Sequence, residues 1–100
     1  MTIQQSRNDG EITLLIEGRV DTNTSPQLQS EILGAFQEAK RVVLDFEQVS
    51  YISSAGLRAI LIGQKTAASK NAAMELAHVP DMVMAVLQSV GFTQILTIRK

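Results

Sequence analysis

The chain contains no cysteine. Thiol chemistry, disulfide frameworks and thiolate metal sites are therefore excluded. It has a single histidine, and its carboxylates are scattered, so nothing in the pattern marks a metal centre. Nine basic and ten acidic residues are interleaved to a net charge of −1. No Lys/Arg cluster of the kind that meets nucleic acid or a membrane surface is present. No apolar run approaches the roughly 20 residues that span a bilayer. The opening MTIQQSRNDG is polar where a secretion signal needs an apolar core. Neither G-x-x-x-x-G-K-[ST] nor G-x-G-x-x-G occurs, so a phosphate-cradling nucleotide loop has no support. These absences lead us to expect a cytoplasmic, soluble protein without cofactor, metal, nucleic-acid partner or membrane insertion.

What is present is a chain of 100 residues, 45% hydrophobic, enough to bury one core and form one domain over residues 1–100. Asp9-Gly10 is a two-residue hairpin signal joining a short strand near Ile3 to Arg7 to a second over Glu11 to Glu17. The unbroken ITLLI in the second suits a strand covered on both faces. The turn formers of GRVDTNTSPQ lead into a helix, with Thr24 or Ser25 as its cap and Pro26 in its first turn. Leu28, Ile32, Ala35, Phe36 and Ala39 recur at helical spacing over Gln27 to Ala39.

Arg41 to Phe46 reads as a central strand, followed by a bend and short extension through EQVSYI. A second helix starts near Ser54 and runs to Ser69, with Leu57, Ile60, Leu61, Gln64 and Ala68 as its stripe. Ala72 to Val79 alternates as a strand, with His78 on the face of Met74 and Leu76. Pro80 opens a third helix with Met82, Val83, Val86, Leu87 and Val90 inward. Core is the better reading of Met82 and Met84 than a contact surface. Gly91 suits the position after the last helical turn, and FTQILTIRK is a final edge strand. The order β-β-α-β-α-β-α-β predicts an α/β fold: a mixed, mostly parallel sheet flanked by three to four helices.

The seam between the central strand and the second helix, YISSAGLRAIL, carries two adjacent serines. A helix N-terminus leaves unpaired N–H groups and a partial positive charge. One serine caps it; two exceed what a cap needs. The second points outward, where a phosphate would meet the positive end of the helix without unfolding it. Ala55 and Gly56 are small, which suits close approach of another chain and equally suits tight packing on the sheet.

VVLDFEQVSYISSAGLRAIL resembles the signature of STAS domains, and specifically of bacterial anti-sigma factor antagonists. IEGRVDTNTSPQL, Ile16 to Leu28, resembles the loop that precedes the first helix of that family. The resemblance covers nearly the whole chain. It implies a phosphorylation-switched protein and not an enzyme. Unphosphorylated, such a protein holds an anti-sigma factor serine kinase and so frees a sigma factor; a serine phosphatase resets it. The matching phosphoacceptor is Ser54. Ser53 stands where many members carry Asp, and Asp21 matches a loop acid beside the phosphosite, although it also reads as a turn former. Asp21, Ser53, Ser54, Gly56 and Arg58 form the expected partner-binding set.

Two other readings compete. Ile52-Ser53-Ser54-Ala55-Gly56 is close to a nucleophile elbow but lacks its first glycine, and a hydrolase would have to recruit His78, the sole histidine. Stand-alone STAS proteins also serve as small subunits of lipid-transporting ABC systems, where the same helix-and-loop face binds the ATPase without phosphorylation.

Overall fold

A computed structural model describes residues 1–99. The turn Asp9-Gly10 has positive φ at both residues, 47° and 79°, the conformation that matches the twist of a two-residue hairpin. It joins β1 (Thr2–Asn8) to β2 (Glu11–Val20), antiparallel with Asn8 opposite Glu11. The order continues with α1 (Ser25–Phe36), β3 (Arg41–Ile52), α2 (Ser54–Ser69), β4 (Ala73–Ala77), α3 (Asp81–Ser89), a 3-10 turn (Phe92–Gln94) and β5 (Thr97–Ile98). The five strands lie in sequence order, and every pair after the first is parallel.

That strand order fixes where the helices go. Each crossover moves the same way across the sheet, so right-handed connections place all three helices on one face. Ile12, Leu14, Val42, Leu44, Met74 and Leu76 form that face. They share one core with Leu28, Ile32, Ile60, Ala67, Val83 and Leu87 from the helices. The opposite face is open. Thr13 and Leu15 are only half-buried, so ITLLI is covered on one face and not on both. The far end of the open face is held by charge. Glu75, buried, is gripped by Arg41 and Arg99, and Arg99 also reaches Glu11 at 3.5 Å.

The second and third strands are longer than the sequence patterns imply. β2 bends at Gly18, φ 109°, a value only glycine adopts readily. The register with β3 shifts on either side of it. Past that irregularity, Gly18, Arg19 and Val20 still pair with Val49, Tyr51 and Ile52, so β3 runs on to Ile52 where a bend is expected after Phe46. α1 ends at Phe36, and Ala39 is buried beyond it.

The buried stripe of α2 is Gly56, Leu57, Ala59, Ile60, Gly63 and Ala67. Leu61 and Gln64 sit at its margin, and Ala68 is exposed. Small residues set this phase. A β-carbon on Gly63 would lie 2.8 Å from Met74 Sδ and 2.9 Å from Ile32 Cγ2, so the glycine lets α2 approach both the sheet and α1.

The C-terminal third departs most from expectation. β4 stops at Ala77, and His78 has φ 54° and is exposed, so it does not share a strand face with Met74 and Leu76. In α3 only Val83 and Leu87 are fully buried; Met82 is 55% exposed and Met84 half-buried. Gly91 takes the left-handed conformation at φ 79°, which is favourable just past a helix end. The final strand is only Thr97–Ile98, because a 3-10 turn takes up Phe92–Gln94; Lys100, also placed in it by the sequence, lies outside the described residues.

Candidate functional site

The C-terminal ends of β2 and β3 hold the serine seam. Ser53 is extended, φ −102° and ψ 176°, and caps α2: its Oγ accepts from Gly56 N at a long 3.4 Å. Its own amide donates to the Val20 carbonyl at 2.9 Å, and its carbonyl accepts from Leu57 N at 2.9 Å. Ser53 is thereby tied to β2 as well as to the helix. Ser54 is the first residue of α2 and is exposed. Its hydroxyl forms no hydrogen bond among the described residues. The two serines have separated roles, one structural and one free.

Gly56, expected in the docking patch, is buried under the first turn of α2. A β-carbon there would meet Val20 Cγ1 at 2.7 Å, Ile52 Cγ1 at 2.9 Å and the Val20 carbonyl at 3.1 Å. The glycine lets the first turn of α2 sit on the ends of β2 and β3. Of the small pair, Ala55 is the one at the surface margin.

Asp21 follows Val20 directly, and so lies beside the seam through the Val20–Ser53 hydrogen bond. Its carboxylate accepts from the amides of Asn23 at 3.0 Å and Thr24 at 3.1 Å, an Asx-type turn. Thr24 occupies the cap position of α1 but makes no side-chain cap. Its hydroxyl instead donates to the Arg19 carbonyl at 2.8 Å and accepts from Asp21 N at 2.8 Å. Partial desolvation disfavours the charged carboxylate of Asp21. The amides of Thr24 and Asn23, the Thr24 hydroxyl and the Arg19 charge outweigh it and hold the group below its ordinary value.

A group depressed on folding contributes stability that is present above its unfolded pKa and lost as pH falls through its folded one. Asp21→Asn should therefore melt below wild type at neutral pH. The gap should close as pH falls below the ordinary carboxyl value of 3.8. Melting curves from pH 7 downward check this; a gap independent of pH would show that the charge is not what orders the loop.

Two residues that sequence reasoning did not single out complete this end. The Arg19 guanidinium lies 4.2 Å above the Tyr51 ring, a cation–π arrangement created by their register opposition. No sequence signal announces that pair, because it depends on the irregularity at Gly18. On the helix side of the sheet, α1 and α2 flank a groove of about 360 Å³ lined by Pro26, Gln29, Leu33, Ala55, Arg58 and Ala59. Arg58 is exposed, four residues past Ser54. Asp21, Ser53, Ser54 and Arg58 thus share one end of the molecule.

The parts of a Ser–His–acid triad are not assembled. His78 Nδ1 lies 3.2 Å from Asp45 Oδ2, and among the described residues Ser54 forms no hydrogen bond to either. Strands in sequence order, helices on one face and a second helix opened by a free serine define the class, a STAS-type α/β domain. The chain belongs to the STAS family: the family model described as "Mlab, STAS domain" matches residues 3–98. It is 30% identical over 96 residues to BtrV of Bordetella bronchiseptica, a protein provisionally named an anti-sigma factor antagonist. The match covers 95% of this chain and 83% of that one.

Its fold resembles that of a Thermotoga maritima protein given the same provisional name. The TM-score is 0.91 at 16% identity, with 98% of this chain and 86% of the other covered. It also resembles the anti-sigma factor antagonist SpoIIAA of Bacillus. The TM-score is 0.77 for the unphosphorylated form, at 17% identity over 99% of this chain and 88% of the other. For the phosphorylated form it is 0.76, at 18% identity over 99% and 92%.

Proposed function

We propose that this chain is an anti-sigma factor antagonist of the partner-switching kind, a cytoplasmic binding protein without catalytic activity of its own. Its partners are an anti-sigma factor serine kinase, which it holds when unmodified, and a serine phosphatase, which resets it. Ser54 is the phosphoacceptor; Asp21, Ser53 and Arg58 border the docking surface, with Gly56 acting from beneath. The single observation that carries this reading is the division of labour at the seam. Ser53 caps the helix, and the Ser54 hydroxyl is left exposed and unengaged at the helix's positive end. SpoIIAA has this fold in both its phosphorylated and unphosphorylated forms, which supports a switch that works at the surface and not by refolding.

The alternative, a small STAS subunit of a lipid-transporting ABC system, draws on the same face. A pull-down with wild type and Arg58→Glu, followed by fragment-ion mapping of the captured kinase's product, separates the two. Wild type should retain a kinase that phosphorylates Ser54. Arg58→Glu should retain far less of it at unchanged melting temperature, since an exposed charge contributes little to stability. Phosphate on Ser53 or Ser50 alone would overturn the Ser54 assignment. Capture of an ATPase and permease without any phosphorylation would favour the transporter reading.

A further inference from the structure

The open face of the sheet brings together three residues that lie far apart in sequence or go unremarked there. Asp45 and Glu47 are two apart on β3, at a stretch where its register with β2 shifts, and the Asp45 carboxylate accepts from the Glu47 amide. Asp45 pairs in register with Ala77, the last residue of β4. The next residue, His78, would point into the core if the strand continued. Its left-handed backbone, φ 54°, turns the imidazole back over Asp45 instead, with Nδ1 3.2 Å from Oδ2. One potential ligand atom from each of Asp45, Glu47 and His78 lies within 4.8 Å of the others. We propose that Asp45, Glu47 and His78 form a binding site for a divalent transition-metal ion, staples of β3 to the end of β4.

Three features carry this beyond a chance meeting of side chains. The first is spacing: donors about 2.0–2.1 Å from a tetrahedral zinc stand about 3.3 Å apart, and the imidazole and Asp45 are already there. The second is charge. Neither Asp45 nor Glu47 has a lysine or arginine within 4.0 Å among the described residues, whereas Glu75 on the same face is gripped by two arginines. The Asp45 side chain is only 17% exposed, and the imidazole is the one basic group within 4.0 Å of it among the described residues.

The third is orientation. Asp45 Oδ1 accepts from the Glu47 amide at 3.0 Å, which fixes the carboxylate and leaves Oδ2 facing the imidazole, as an outer-shell hydrogen bond does for a metal ligand. One imidazole with two carboxylates is a donor set for zinc, nickel or cobalt; magnesium and calcium prefer oxygen alone. Water completes the sphere from the exposed side, and no part of the serine seam is involved.

The test is calorimetric titration of untagged protein with zinc chloride. Because the chain has one histidine, any imidazole-dependent binding reports on His78. A single site per chain is expected, weakened at least about tenfold in each of His78→Asn and Glu47→Gln, with magnesium chloride giving no comparable response. Asparagine tolerates the left-handed backbone, and circular dichroism confirms that both variants fold. A zinc excess of about tenfold over Kd should raise the melting temperature of wild type by several degrees and that of His78→Asn by at most about a third as much. Cobalt in place of zinc should give the intense visible absorption of a low-coordinate site, lost in His78→Asn. Equal zinc affinity in wild type and both variants, or equal binding of magnesium, would overturn the proposal.

Discussion

Gly56→Val is expected to destabilise the protein by about 3 kcal/mol, the upper end of what overpacking usually does, and to lower Tm by about 12 °C or more at this chain length. The added atoms have nowhere to go. Even the first of them would stand 2.7 Å from Val20 Cγ1 and 2.9 Å from Ile52 Cγ1, and both of those side chains are buried. It would also stand 3.1 Å from the Val20 carbonyl, the same carbonyl that accepts from Ser53 N. Relief therefore requires α2 to lift off the ends of β2 and β3, which breaks the tie holding the serine seam. Gly34→Ala is the matched control. A β-carbon there meets nothing within 4 Å, so the change should stabilise by about 0.4–1 kcal/mol through helix propensity and the unfolded chain. Thermal melts of the two variants decide it. A Gly56→Val protein that melts with wild type would mean that the seam is looser than these distances allow.

That glycine shows how far the sequence could be read. Element order, hairpin, parallel pairing and the outward serine follow from local rules: turn chemistry, hydrophobic period and helix capping. The phase of α2 does not, because Gly56, Gly63 and Ala67 carry no hydrophobic signal. Their burial comes from what they let approach, which is a property of Val20, Ile52, Ile32 and Met74. The extra length of β2 and β3 is a cooperative effect. The polar EQVSY stretch stays extended because Gly18 lets β2 bend and keep pairing with it. ITLLI reads as covered on both faces because apolar runs do not count helices; only the strand order shows that all crossovers fall on one side. His78 is the clearest case. Strict alternation would put it with Met74 and Leu76, and one left-handed residue sends it to the opposite face beside Asp45. At the candidate site, Asp21, Ser54 and Arg58 come to one end of the molecule through the element order, whereas Arg19 and Tyr51 meet through a register that no local pattern encodes.

Phosphorylation of Ser54 should weaken binding of the anti-sigma factor kinase by about a hundredfold or more while leaving the fold intact. The modification adds about −1.5 to −2 charges at neutral pH. In the free protein that charge is hydrated, because Ser54 is exposed. It faces the unpaired amides of the first turn of α2, and Arg58 stands one helical turn away, the spacing at which opposite charges on a helix support each other. On the proposed reading, the same phosphate would lose its water in the complex against the phosphates of the kinase's nucleotide. An uncompensated charge buried in an interface costs about 3–5 kcal/mol, and each 1.4 kcal/mol is about tenfold in affinity. Ser54→Asp should reproduce part of the loss, because it carries one charge on a shorter arm. Ser54→Ala should bind as tightly as wild type and resist release by ATP. Titration of the kinase with the unmodified, phosphorylated and substituted forms measures all three, with circular dichroism confirming a common fold. If the phosphorylated form binds as tightly as the unmodified one, the switch does not operate through this serine. The face built by Ser54, Arg58 and the α1–α2 groove would then be the docking surface of a constitutive subunit, as in the transporter reading.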